Sequence, residues 1–228
     1  MAAKLSMVAT PIGNLEDITL RALRVLKEAD AIYCEDTRVT AKLLNHYDIK
    51  VPLKRLDANV ETTKAKEVID RLIKGEKVVY VTDAGTPGVS DPGYRLVAAV
   101  RHALGDSFAI EAIPGPSALA AAISIAGLKL DDFTFLGFLP HKKGRQTLLK
   151  EIAGSDRAYM LYESPHRIMK LLGEFEDVIP DRQIVVAREL TKKFENVQVG
   201  TPGQIRNYFF EHFPAKVPGE FVVIVEGK

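Results

Sequence analysis

The chain has 228 residues, 46% hydrophobic and 27% charged, which fits one large α/β domain or two small ones and excludes disorder as its main character. Thirty-one Lys and Arg against thirty Asp and Glu leave a net charge of +1, so any contact with nucleic acid must come from a local patch rather than the whole surface. One cysteine, Cys34, excludes an internal disulfide and a multi-cysteine zinc site, and no apolar run reaches the roughly 18–20 residues of a membrane span. With no signal peptide legible in Met1 to Thr10, a reducing, cytoplasmic setting is expected.

Short β-branched runs alternate with helical patterns, as in α/β folds. Leu5 to Ala9 reads as a first strand, and Thr19 can cap a helix carrying Leu20, Leu23 and Leu26. Ala31 to Cys34 is a second strand, followed by a helix over Thr40 to Tyr47. Ala65, Val68, Ile69, Leu72 and Ile73 form a helical stripe that Gly75 stops. Val78 to Val81 is an uninterrupted apolar run, expected of a central parallel strand buried on both faces. Asp91 and Pro92 open a helix through Leu96, Val97 and Val100; Ala109 to Ile113 follows as a strand, and Ala118 to Ala126 as a small-residue helix.

After Gly127 the texture changes. Phe133, Phe135 and Phe138 mark an aromatic strand ending at Pro140, and Leu148, Leu149 and Ile152 a short helix. Tyr159 to Tyr162, Ile184 to Ala187 and Phe221 to Val225 read as strands. Ser164 as N-cap with Pro165 at the first helical position is expected to start the helix bearing Ile168, Leu171, Leu172 and Phe175. The chain is therefore expected to form two α/β lobes, residues 1–127 and 128–228, hinged near Gly127 to Asp132.

Several common motifs are missing. There is no GxGxxG fingerprint, no HExxH, no EF-hand loop and no Gly-x-Ser-x-Gly elbow, so no built-in metal is expected. Gly88 and Gly93 have Walker A spacing, but Tyr94-Arg95 stand where a phosphate-binding Lys and a Ser or Thr are required. Cys34 reads as a buried, inert thiol. The informative feature is four Gly/Pro loops at strand ends: Thr10 to Leu15, Asp83 to Gly93, Pro114 to Ala118 and Gly137 to Pro140. Ligands of open α/β sheets bind beyond the carboxyl ends of strands, where glycine exposes bare backbone. The Asp83 loop exceeds the usual 2–6 residue βα connection and carries two carboxylates, which points to a ligand crevice rather than ordinary turns.

Thr10-Pro11-Ile12-Gly13-Asn14-Leu15 with Asp17-Ile18-Thr19, then Glu35-Asp36-Thr37-Arg38, Asp83 to Gly93, Pro114-Gly115-Pro116, Gly137-Phe138-Leu139-Pro140, Tyr162-Glu163-Ser164-Pro165-His166-Arg167 and Arg188-Glu189-Leu190-Thr191-Lys192 occur in order. Together they resemble the ribosomal RNA small-subunit methyltransferase I family, the cytidine 2′-O-methyltransferases of the tetrapyrrole-methylase superfamily. The resemblance implies an α/β fold of two αβα lobes with S-adenosyl-L-methionine in the cleft between them, and usually a homodimer. It also implies methyl transfer to the ribose 2′-OH of a cytidine in the decoding region of 16S ribosomal RNA, free or in the assembled small subunit. The sequence departs from the family pattern at Leu56-Asp57-Ala58-Asn59-Val60-Glu61, where members carry His-x-His-Asn-Glu, and at Pro218-Gly219-Glu220, where they carry Lys-Gly-Glu.

By this resemblance the cofactor-side positions are Pro11, Asp83, Gly85, Ser90, Ser117, Ala118, Tyr162, Leu190 and Pro218. Asp83 either accepts hydrogen bonds from polar cofactor groups or caps a turn. Glu35, Asp36 and Arg38 form a charged cluster: Arg38 to hold a phosphate and Glu35 or Asp36 to orient or deprotonate the hydroxyl, or all three an internal salt bridge. Lys192 is placed to stabilise a developing oxyanion. Lys142, Lys143, Arg145 and Lys150 lie in a stretch without an acid from Leu139 to Lys150, either a phosphate patch or a solvated face. Asn59, His166 and Arg167 are further RNA-side candidates, with His166 either a base or a surface residue at a helix start. Two other functions share these features, methylation of a small tetrapyrrole and a catalytically silent binding module.

Overall fold

β-branched runs alternating with amphipathic stripes build ten strands and eight α-helices among the residues the computed structural model describes, 3–56 and 61–228. Cα packing divides the chain into two units, residues 1–117 and 118–228. The helix over Ala118–Ala126, counted with the first lobe in the sequence reading, belongs to the second unit.

The first unit contains β1 (Lys4–Val8), α1 (Leu20–Lys27), β2 (Ala31–Cys34), α2 (Thr37–His46), β3 (Leu53–Arg55), α3 (Glu61–Ile73), β4 (Lys77–Val81), α4 (Gly93–Leu104) and β5 (Ile110–Ile113). Its sheet has the order β3-β2-β4-β1-β5, and every pairing is parallel. The apolar run of β4 is explained by its central place: Val79 and Val81 pack with Leu26 and Leu43 on one face, while Val78 and Tyr80 pack with Val68 and Leu96 on the other. Thr19 caps α1 as its sequence implies, its hydroxyl accepting from the Ala22 amide at 3.0 Å. Thr19→Ala should cost about 1 kcal/mol of stability, measurable as a shifted urea midpoint at constant m-value. Gly75 stops α3 in the left-handed region at φ +92°.

The second unit contains α5 (Ala118–Ala126), β6 (Phe133–Phe138), α6 (Arg145–Gly154), β7 (Ala158–Glu163), α7 (Ile168–Val178), β8 (Ile184–Arg188), β9 (Asn196–Gly200), α8 (Pro202–His212) and β10 (Phe221–Val225). The sheet order is β6-β7-β10-β8-β9, parallel between β6 and β7 and antiparallel elsewhere. Its core gathers Leu161, Val186 and Val223 from the sheet with Leu171, Phe175 and Phe209 from the helices. The expected cap at Ser164 is not what starts α7. Ser164 instead closes a turn, its carbonyl accepting from the Arg167 and Ile168 amides, and Arg167 is the capping residue. Strands β3 and β9 and helix α8 went unread, although Thr201 and Gln204 of α8 form a reciprocal capping box, a signal present in the sequence.

Candidate functional site

All strands of the first sheet are parallel, so the loops after β1, β2, β4 and β5 leave the same edge, where such sheets bind ligands. Hydrogen bonds stitch those loops together. Thr10 and Gly85 exchange backbone bonds at 2.9 and 3.0 Å, and the Thr10 hydroxyl donates to the Thr82 carbonyl at 3.2 Å. The Thr86 hydroxyl donates to the Pro116 carbonyl at 3.1 Å, joining the loop that ends at Ser117. The Asp36 amide donates to Asp83 Oδ1 at 3.0 Å. Pro11, Asp83 and Gly85 are thereby brought to one edge, as the Gly/Pro loops implied, and the charged cluster of Glu35, Asp36 and Arg38 after β2 joins them there.

That edge is rich in carboxylates. Glu35 Oε1 accepts from the Thr82 hydroxyl and, at 3.4 Å, from the Asp83 amide. Thr82, the residue just after the apolar run of β4, carries no signal of this role in the sequence. Arg38 forks onto Asp36, with Nε 3.0 Å from Oδ1 and Nη2 2.5 Å from Oδ2, and this pairing holds the Asp36 carboxyl well below the usual range. Asp83 moves the other way. Asp83 is exposed at the surface, but partial desolvation by the surrounding loops pushes its pKa up, and the nearby charges of Glu35 and Asp36 add to that, against the opposing Asp36 amide and Arg38. Two neighbouring carboxyls with opposed shifts mark a candidate site.

The loop from Asp83 to Gly93 is held by its own sequence. Gly85 and Gly88 sit at φ +85° and +92°, and Ser90 at φ +63°, which is uncommon for a residue with a side chain. A Cβ at Gly85 would meet Ile12 Cγ2 at 3.3 Å. Asp91 organises the return, accepting from the Gly88 amide at 2.6 Å and the Gly93 amide at 2.7 Å. Asp91→Ala orphans both amides and should lower stability by about 1–2 kcal/mol, read by denaturant titration with Asp91→Asn as the milder control.

In the second unit, Lys192 lies 2.8 Å from both Glu189 Oε1 and Glu220 Oε2. Burial disfavours its charge, but the two carboxylates outweigh it and raise its pKa. Glu189 and Thr191 both have positive φ, +54° and +65°, flanking the buried Leu190, the kind of backbone strain that collects at functional loops. Gly219, at φ +117°, lets the segment after Pro218 pass there: a Cβ would come 2.6 Å from Glu189 Cγ. The Pro218 carbonyl accepts from Arg188 Nε at 2.6 Å. Tyr162 is half-buried, its ring edge-on to Phe135 and Phe138, and burial raises its pKa.

The RNA-side candidates separate. Lys142 and Lys143 are exposed, and among the described residues neither forms an ion pair. Arg145 is a correction: it is 3% exposed and its guanidinium is committed to Glu174 through bonds of 2.5 to 3.1 Å, so it is not available to a phosphate. Arg167 is a second correction, spent on buried Glu163 at 3.0 Å and on the Leu139 carbonyl at 2.5 Å. Glu174 lies 29 positions from Arg145 in no motif, and Glu163, although inside the Tyr162 to Arg167 motif, is a partner only because the end of its strand is buried. His166 is exposed in the turn before α7 rather than in its first helical turn. Asn59 lies outside the described residues.

Residues 4–206 match the family model described as Tetrapyrrole (Corrin/Porphyrin) Methylases. The chain is 42% identical over 226 residues to the ribosomal RNA small subunit methyltransferase I of Thermotoga maritima, covering 99% of both chains. It is 44% identical to the protein of that name from Halalkalibacterium halodurans, covering 98% of this chain and 75% of that one. Among solved structures, the methyltransferase CobJ superposes with a TM-score of 0.71 at 23% identity, covering all of this chain and 95% of that one. Diphthine synthase superposes at 0.72 and 16% identity, covering 98% and 90%. At those identities the structures establish the fold, and the sequence relatives the branch: the chain belongs to the tetrapyrrole methylase family, among the ribosomal RNA small subunit methyltransferases I.

Proposed function

We propose that this chain is an S-adenosyl-L-methionine-dependent methyltransferase that modifies the ribose 2′-OH of a cytidine in small-subunit ribosomal RNA. The reading is supported by its near full-length likeness to ribosomal RNA small subunit methyltransferases I. The observation that carries it is the carboxylate-lined, glycine-rich edge at Glu35, Asp36 and Asp83. The residues there fit the cofactor by their chemistry. Carboxylates favour a sulfonium and accept from ribose hydroxyls, and Gly88 has open space where a side chain would stand. When bound, the cofactor supplies the methyl group as an electrophile on sulfur.

The proposal assigns cofactor contacts to Pro11, Asp83, Gly85, Ser90, Ser117, Ala118, Tyr162, Leu190 and Pro218. In-line transfer depends on placing the acceptor oxygen, and positioning is the protein's main contribution. Arg38, whose side chain is exposed despite its bond to Asp36, is assigned to an RNA phosphate. Glu35 or Asp36 orients the hydroxyl as its proton leaves, and Lys192 supports the developing negative charge. Lys142 and Lys143 remain the phosphate patch, with Arg145 and Arg167 withdrawn from it. The cytoplasmic setting and the homodimer expected from the family resemblance belong to the same proposal; among the described residues no helix is long and apolar enough to cross a membrane.

A choice of acceptors tests this reading. With labelled cofactor, small ribosomal subunits lacking the modification should take up methyl groups and uroporphyrinogen should not. Label entering the tetrapyrrole alone would overturn the RNA assignment, and cofactor binding without transfer to either would support a silent module.

A further inference from the structure

Resting on the RNA reading above, we propose that two largely buried arginine–carboxylate pairs, Arg145 with Glu174 and Arg167 with Glu163, act as positioning clamps. They stiffen residues 139–144 so that Lys142 and Lys143 meet RNA phosphates in a fixed geometry. Both arginines reach the same short segment, Arg145 from the start of α6 and Arg167 from the turn before α7, while their carboxylates sit on α7 and at the end of β7. Arg145 makes a fork to Glu174, Nε at 2.9 Å and Nη2 at 2.5 Å from Oε2, and turns Nη1 to the Pro140 carbonyl at 3.2 Å. Arg167 pairs with Glu163 through Nε at 3.0 Å, sends Nη2 to the Leu139 carbonyl at 2.5 Å and Nη1 to His141 Nε2 at 3.3 Å. Two adjacent carbonyls and the next side chain are therefore gripped by guanidinium groups whose charge is already balanced.

Beyond the clamps, the far side of the segment is pinned by the Arg145 amide donating to the Lys142 carbonyl at 3.2 Å and by Gly144 at φ +85°. Only Lys142 and Lys143 are left free to reach outward, and both are exposed. A flexible lysine loses conformational freedom when it grips a phosphate, and a loop already ordered loses less. Arginine suits the clamp because its rigid planar fork fixes the direction of its several donors, so a carboxylate and a carbonyl are held in one set geometry, whereas the lysine ammonium is a point charge on a flexible stem. On this reading the effect of Glu163 and Glu174 passes through the loop.

The test compares two double variants of the full chain. Lys142→Ala with Lys143→Ala removes the charges. Arg145→Met with Glu174→Leu removes one clamp while filling its buried space, a replacement that buried ion pairs often tolerate. The lysine variant should flatten the plot of log affinity for small subunits against log salt by about 0.7–0.9 per lost phosphate contact, so by roughly 1.5 in slope. The clamp variant should raise KM for small subunits by about 5–10-fold, the loss of roughly one ordered contact. Its kcat at saturating subunits and its affinity for S-adenosylmethionine should stay near wild type, and amide exchange at residues 139–144 should quicken. If the lysine variant keeps the wild-type KM and salt slope, the RNA-patch reading falls and the clamps with it. If the lysine variant behaves as expected but the clamp variant keeps the wild-type KM, the clamp inference alone is overturned. Equal loss of cofactor affinity and kcat in the clamp variant would also overturn it, by showing a general structural role. Should that variant not fold, Arg145→Lys retains the charge without the fork and is expected to shift KM in the same direction.

Discussion

Asp83→Asn is expected to lower methyl-transfer kcat/KM by about 10²–10³-fold, the scale of removing one preorganised polar group from an active site, while leaving the fold at least as stable. The two halves of that expectation come from the same geometry. Asp83 accepts the Asp36 amide at 3.0 Å, a bond an asparagine oxygen keeps. What the amide removes is a charge beside Glu35 and Asp36 on a carboxyl that is exposed at the surface yet partly desolvated by the loops around it, the cause of its raised pKa. The sign follows from linkage. In the window that begins near the unfolded carboxyl pKa of about 4 and ends at the higher folded value, the native state binds more protons than the unfolded one. This group's contribution to stability therefore falls as pH rises through that window, and at neutral pH the Asp83 charge works against the fold. Thermal unfolding at pH 4 and pH 7 checks it: the gap between variant and wild type should favour the variant more at pH 7. A variant that loses stability at pH 7 while keeping full activity would contradict both halves.

Arg167→Ala should be among the most damaging single changes to stability in the second unit. Glu163 has a fully buried side chain, and among the described residues its Oε2 has no hydrogen-bond partner. Its charge is matched by the Arg167 guanidinium 3.0 Å away. Truncating the arginine leaves an uncompensated buried carboxylate, a loss of about 3–5 kcal/mol, or a fall in Tm of roughly 6–20 °C for a chain of this size. Arg167→Met combined with Glu163→Leu should cost much less, because both charges leave together. The pair of melting curves separates charge from packing: equal losses in the single and double variants would mean that shape, not the buried charge, is what the site requires.

The parts of the molecule that were legible in the sequence are those fixed by short-range rules. Val78 to Val81 is apolar throughout because β4 is covered on both faces, and α5 and β10 fall on the residues their patterns mark. Thr19 opens α1 through its hydroxyl and Gly75 ends α3 through its left-handed backbone, neither needing a distant partner. The gathering of Asp36, Asp83 and Gly85 was legible because parallel strands must present their following loops on one edge. What was not legible depends on partners far along the chain. Arg145 read as a surface cation among lysines, since nothing nearby in sequence announces Glu174, 29 positions later. Arg167 reads as a phosphate ligand at a helix start for a different reason: its carboxylate, Glu163, is only four positions away, but it ends a buried strand, and that burial depends on tertiary packing. Ser164 failed as a cap because its backbone closes the preceding turn, moving the helix start to Ile168.

The central claim is that the carboxylate-lined edge serves transfer to an RNA ribose. Small ribosomal subunits lacking the modification should be incubated with the protein and methyl-labelled S-adenosylmethionine, and the labelled RNA then digested with alkali. A 2′-O-methyl group removes the hydroxyl that alkali uses to cleave the neighbouring phosphodiester, so the expected label resides in an alkali-resistant dinucleotide whose first residue is cytidine. Asp83→Asn should remove most of that label. Label on a base, or an alkali-resistant product made equally well by Asp83→Asn, would contradict the assignment of this edge to ribose methylation.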